Sequence, residues 1–138
     1  VENAMIGTPN FMSPEQANRR DVDGRTDIFA LGAILYYAIT GVLAFDGETL
    51  AAIALQVTHH TPPPASQRVP AIPAGVDAAV MTALAKDPRQ RFATAGAFAD
   101  AFRAALAALH QDAGRSPEPA SLAPGHLRHD RPASAPVT

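Results

Sequence analysis

A chain of 138 residues, 47% hydrophobic and 6% aromatic, is long enough for one domain. Thirteen acids against eleven Lys and Arg leave a net charge of -2, which excludes the basic footprint of a nucleic-acid or anionic-membrane binder. The absence of cysteine excludes disulfides and thiolate metal sites.

Val1-Glu2-Asn3 has neither the basic n-region of a signal peptide nor a starting Met, so a processed chain or a fragment is expected. Gly7-Thr8-Pro9-Asn10 reads as a turn, Gly supplying conformational freedom and Pro fixing its neighbour. Ser13-Pro14-Glu15-Gln16 reads as a short helix start, with Ser13 as cap and Pro14 at the first helical position. Residues 19–25 form a charged loop leading to Thr26, the expected N-cap of the next helix. Asp27 falls in that helix's first turn, where the dipole favours an acid.

Between Asp27 and Asp46 lie eighteen consecutive uncharged residues. That length reaches the lower limit for a membrane span, but Gly41 interrupts it and neither end carries a Lys/Arg cluster. The pattern favours a buried helix of about thirteen residues closing at Thr40-Gly41. Residues 28–39 are apolar on nearly every side, which places this helix at the centre of a core.

Asp46-Gly47-Glu48-Thr49 is a further turn and cap. Leu50, Ile53, Ala54 and Val57 then recur at helical spacing as far as about Thr58. Residues 59–75 hold five prolines and are expected as an extended loop. Val76, Val80, Ala83 and Leu84 mark another helix, closed by Lys86-Asp87-Pro88. Thr94 can cap the last helix, whose apolar face is Phe98, Ala101, Phe102, Ala105, Leu106 and Leu109. From Gln111 onward prolines mix with Ser, Ala, Arg and His and no apolar period survives. The expected organisation is a mainly α folded part over residues 1–110 and a disordered tail or linker over 111–138.

Three stretches, in this order, resemble one family. Gly7-Thr8-Pro9-Asn10-Phe11-Met12-Ser13-Pro14-Glu15 resembles the end of a protein-kinase activation segment, with Ser13-Pro14-Glu15 in place of Ala-Pro-Glu. Asp27-Ile28-Phe29-Ala30-Leu31-Gly32 resembles the Asp-x-x-x-Leu-Gly start of the kinase central helix. Leu84-Ala85-Lys86-Asp87-Pro88-Arg89-Gln90-Arg91-Phe92 resembles the late Leu-x-x-Asp-Pro-x-x-Arg-(Phe/Tyr) element. The chain is thereby similar to bacterial serine/threonine kinases of the receptor-like type.

The resemblance implies the helical C-lobe portion of the protein-kinase-like fold, from the end of the activation segment through the last C-lobe helices. Gly7, Thr8, Pro9, Asn10, Phe11 and Met12 would form a shelf for the substrate residue just after the phosphoacceptor. Thr8, similar to the serine/threonine group of kinases, would hydrogen-bond near the catalytic aspartate and lysine. Glu15 would pair with Arg91, and Asp27 would accept hydrogen bonds from the catalytic-loop backbone. Gly32 would be structural, and Ile34 and Ala38 would support the hydrophobic column beneath the adenine ring. The chain departs from the family at Phe11, where Tyr is frequent, at Tyr37, where Glu is, and at Ala44, where Pro is.

Phosphoryl transfer needs a nucleotide cradle, metal-binding groups and an acid that positions the hydroxyl. The sequence contains no Gly-x-Gly-x-x-Gly, Val-Ala-Ile-Lys, His-Arg-Asp or Asp-Phe-Gly, and His129-Asp130-Arg131 has no Asn at the required distance. The expected function is therefore a C-terminal fragment of a serine/threonine kinase. The complete parent would be a transferase using MgATP. This chain alone would be inactive, with no catalytic residue and no cofactor site of its own. Its expected partners are protein substrates, or the kinase N-lobe and catalytic loop. Nucleic acid is not expected, the location is cytoplasmic, and any anchor of the parent lies beyond residue 138. A non-catalytic binding module derived from a kinase lobe and a single-span membrane protein using residues 28–45 are the competing classes. His59-His60 and His126-x-x-His129 lack a third ligand at useful spacing, so no metal is expected. Without covering segments, some of Ile28, Phe29, Leu31, Ile34 and Leu35 are expected to face water, each side chain left unburied forfeiting roughly 1.5–3 kcal/mol. A loosely packed, aggregation-prone chain whose melt MgATP does not move is the corresponding expectation.

Overall fold

In the computed structural model, which describes residues 8–113, five α-helices and three 3-10 turns follow one another, with no strand among the described residues. Helix α1, Pro14–Ala17, is a single turn fixed by a capping box. The Ser13 hydroxyl accepts from the Gln16 amide at 3.3 Å, and the Gln16 side chain accepts from the Ser13 amide at 2.9 Å.

Helix α2, Gly24–Thr40, starts one turn before the expected cap. Asp23 is the N-cap, its carboxylate accepting from the Arg25 amide at 2.8 Å, and Thr26 lies inside the helix. The physical reason is a competing acceptor: the Thr26 hydroxyl donates to the Glu15 carboxylate at 2.8 Å and is not available to the helix end. The C-terminus falls at Gly41, whose φ of 73° is left-handed and whose amide donates to the Tyr37 carbonyl at 2.8 Å. The helix thus breaks inside the uncharged run 28–45. No helix of the described residues is long and apolar enough to cross a membrane.

Helix α3, Leu50–His59, is capped by Thr49, whose hydroxyl accepts from the Ala52 amide at 3.1 Å; Ile53 and Val57 turn inward. A proline-rich connection with a short 3-10 turn at Ala65–Gln67 leads to α4, Ala74–Ala83, which begins two residues before the expected Val76. The 3-10 turn Pro88–Gln90 is capped by Asp87. Helix α5, Ala95–Ala113, is capped by the Thr94 hydroxyl at 3.1 Å and continues three residues past the expected boundary at 110. Gly7 and residues 114–138, with the His126/His129 pair, lie outside the described residues.

Two adjoining apolar clusters make the core. The larger gathers Met12, Phe29, Ala33, Tyr36, Phe45, Val57, Val76 and Val80; the smaller joins Ile28 to Ala79, Ala83 and Phe98. Helix α4 packs against α5 and α2. Gly32 permits that approach, because a Cβ there would stand 2.8 Å from the Ala83 Cβ and 3.3 Å from Leu84. Of the residues among which exposure is expected, Ile28 and Phe29 are buried, at 1% and 0%, Phe29 under Phe45 and Arg91. Leu31 and Ile34, at 41% and 45%, do face out, and Leu35 is half-buried. Helix α2 is therefore not enclosed on all sides; Asp27, Leu31, Ile34, Tyr37 and Ala38 make one open stripe.

Candidate functional site

The residues singled out by sequence fall into a surface turn, a buried charge lock and the open stripe of α2. In the turn, the Phe11 amide donates to the Thr8 carbonyl at 3.3 Å and the Met12 amide to the Pro9 carbonyl at 3.1 Å. This leaves Thr8 extended and exposed, its hydroxyl making no cap. Asn10 fastens the turn to the loop after α2, its amide donating to the Phe45 carbonyl at 3.1 Å and the Asp46 carboxylate at 3.4 Å. Phe11 rests half-buried on the core and Met12 is buried in it, so one side of the turn is anchored and Thr8 is presented on the other.

Directly after the turn, α1 carries Glu15 into the charge lock. Arg91 donates to both carboxylate oxygens of Glu15, at 2.6 and 2.9 Å. Its remaining N–H groups go to the carbonyls of Ala85, Arg25 and Lys86, at 2.7, 3.0 and 3.2 Å. All five guanidinium donors are thereby used. The Arg91 side chain is fully buried, and that of Glu15 is 6% exposed. A buried charge is tolerated only when it is paired and hydrogen-bonded in this way. Burial pushes the Glu15 carboxyl up, but the Arg91 and Thr26 donors and its own backbone amide together outweigh it and hold the group down at about 2. Among the described residues no buried side-chain nitrogen or oxygen lacks a partner.

In sequence Lys86 marks a helix stop and fills an unspecified position of the Leu-x-x-Asp-Pro element, with no role of its own. Its ammonium stands 4.2 Å from the Phe45 ring centroid and 5.8 Å from that of Phe29, two rings stacked at 5.6 Å. It donates to the Val57 carbonyl at 2.6 Å. The Arg91 guanidinium lies over the same Phe29 ring at 4.9 Å. Burial, and after it the Arg91 charge, bring Lys86 down to about 8.

The structure brings Glu15 and Arg91 together and places Gly32 at the α2–α4 contact. Asp27, Ile34 and Ala38 it leaves on the open stripe, and no described residue forms a nucleotide cradle around them. The contribution of Thr26 to the lock was hidden by its resemblance to a helix cap.

No family model matches the chain. Over 119 residues it is 42% identical to the serine/threonine-protein kinase Pkn1 of Myxococcus xanthus, which covers 86% of this chain and 17% of that protein. It is 41% identical over 115 residues to PknB of Mycobacterium leprae, covering 83% and 18%. PknJ of Mycobacterium tuberculosis is 40% identical over 119 residues, covering 85% and 20%. Among solved structures, the kinase domain of Mycobacterium tuberculosis PknI superposes with a TM-score of 0.55 at 32% identity, covering 69% of this chain and 34% of that one. The chain thus spans at most 20% of the length of these curated relatives.

Proposed function

The chain belongs to the bacterial serine/threonine kinases, as the C-terminal part of their catalytic domain, and from that premise we propose that it supplies the substrate shelf and scaffold of the complete enzyme. The complete enzyme would transfer a phosphoryl group from MgATP to serine or threonine hydroxyls of proteins. The observation that carries this reading is the Glu15–Arg91 lock. It ties α1, and with it the turn at Thr8–Met12, to α2 and to the segment before α5. A substrate-positioning turn has to be held by packed elements to be useful, and this one is held on both flanks, by the lock and by Asn10.

MgATP is not assigned to this chain, because its residues do not fit the group. The only lysine in the sequence, Lys86, is bonded to the Val57 carbonyl beside the Phe45 and Phe29 rings. Asp87 faces Arg89, and Glu15 faces Arg91. The open stripe of α2, with Asp27, Ile34 and Ala38, we assign to the catalytic loop and neighbouring lobe of the complete kinase. In this reading the chain by itself transfers no phosphoryl group.

A chimera tests the shelf. Residues 8–113 replace the aligned segment of Pkn1 from Myxococcus xanthus, and transfer to serine, threonine and tyrosine peptides is measured. Transfer to the first two, lost when Thr8 through Met12 are replaced by a Gly-Ser linker, supports the reading. Full transfer with the linker in place overturns it.

The binding-module alternative has one observation in its favour: Ile28, Phe29 and Tyr36 are buried, and among the described residues every buried polar side-chain atom has a partner. A cooperative melt of the 138-residue chain, together with a chimera that transfers nothing, would select it.

A further inference from the structure

Of the eleven Lys and Arg in the sequence, ten are arginine, and Lys86 is the only lysine. The position that keeps lysine is also one where the two side chains are least interchangeable. An ammonium is compact and can lose its proton, whereas a guanidinium is planar and stays charged. At Lys86 the charge is met by the faces of Phe45 and Phe29 and by one carbonyl, that of Val57, and by no carboxylate among the described residues. The adjacent Asp87 turns both oxygens to Arg89, at 3.2 and 2.9 Å. The other charge beside Lys86 is Arg91, which is repulsive. Helix α2 contributes the Phe29 ring, the loop after it the Phe45 ring, and α3 the Val57 carbonyl and the Thr58 hydroxyl, and none of these carries a charge.

Lys86 is nevertheless reachable. It lines a surface cavity of about 400 Å³ with Asn18, Arg20, Thr58 and Arg89. Arg89 is neutralised by Asp87, but Arg20 forms no ion pair among the described residues, so a positive charge stands at this cavity. A lysine held without a counter-ion, beside a cavity with a free cation, suits a small electrophile that carries an anionic leaving group.

We propose that Lys86 is an acylation site that takes its acyl group from an acyl phosphate entering this cavity. The lone pair of the neutral amine attacks the acyl carbon. The bond from that carbon to the phosphate oxygen breaks, inorganic phosphate departs with the electron pair, and the extra proton on nitrogen goes to solvent. The product is an amide, and no oxidant or reductant is needed. The modified nitrogen keeps one N–H for the Val57 carbonyl but loses the charge that holds Phe45 and Phe29. Acylation therefore loosens the junction between α3 and the segment before Pro88–Gln90.

The 138-residue chain is incubated with acetyl phosphate over a pH series, native and in urea, and the products are read by intact mass and peptide mapping. The expected side-chain product is a single acetyl group on Lys86, with a rate that rises through a midpoint at about 8. At that pH the native chain reacts on the order of tenfold faster than the unfolded one. Lys86→Arg leaves only the α-amino product. Arg20→Gln slows the reaction with acetyl phosphate severalfold and leaves that with an uncharged acetyl ester unchanged. Equal rates in native and urea-treated chain, or labelling confined to the α-amino group, overturn the site. Equal slowing of both reagents by Arg20→Gln overturns the acyl-phosphate assignment.

Discussion

Arg91 grips both carboxylate oxygens of Glu15, a residue 76 positions earlier in the chain, while its three other donors close on backbone carbonyls. The geometry predicts strong asymmetry between single and paired replacement. Glu15→Ala leaves a buried guanidinium without its anion and is expected to cost about 3–5 kcal/mol, a large share of a typical total of roughly 5–15 kcal/mol. The double variant Glu15→Leu with Arg91→Met is expected to be more stable than either single one. Urea titration of the three proteins checks this, and additive losses would sink it.

The same lock sets an acid limit. The folded-state carboxyl of Glu15 lies at about 2, below its ordinary 4.5, so its contribution is fully present above about 4.5 and is lost as pH falls toward 2. Lys86 works in the opposite window. Its folded value of about 8 lies below the ordinary 10.5, so between these values the unfolded chain binds more protons and stability rises with pH. Unfolding midpoints followed against pH should show both slopes. Glu15→Gln should flatten the acid one, and Lys86→Met the alkaline one.

Glycine substitutions separate contact from conformation. Gly32→Ala puts a Cβ 2.8 Å from Ala83 and is expected to cost about 1–3 kcal/mol by forcing α2 from α4. Gly41→Ala meets nothing within 4 Å but must hold φ at 73°, with an expected cost of about 1 kcal/mol. Gly24→Ala, with open space and no such φ, should be neutral or slightly stabilising. Thermal melts rank the three, and a neutral Gly32→Ala would contradict the close approach.

The open stripe of α2 predicts self-association without instability. Leu31→Lys and Ile34→Lys replace side chains 41% and 45% exposed, so stability should change by no more than about 0.5 kcal/mol. Sedimentation should nevertheless show less association of the 138-residue chain. A large loss of stability would mean that the stripe is packed.

Much of this arrangement is legible in the sequence, and the parts that are not share a cause. Caps at Ser13, Thr49 and Thr94, and the stop at Gly41, follow from local chemistry, and each forms the hydrogen bond or backbone turn that its residue type suggests. Thr26 misleads because two acceptors compete for one hydroxyl, and the winner, Glu15, comes from another part of the chain. The sidedness of α2 is hidden for a related reason. A helix apolar all round has no polar face to mark its exposed edge, so only the packing of α4 and Phe45 reveals that Phe29 is inside and Ile34 outside. Lys86 sits in a motif whose Asp and Pro draw attention to the turn, whereas its own role is set by rings from α2 and from the loop before α3.

The distance in sequence between Glu15 and Arg91 also bears on synthesis. Closing a loop of 76 residues costs roughly 4 kcal/mol of chain entropy, and the cation arrives only when residue 91 has left the ribosome. Until then the emerging chain holds an acid and a threonine hydroxyl with no guanidinium to receive them. The turn at Thr8–Met12, although made well before residue 91, is fixed in place only after Arg91 has emerged.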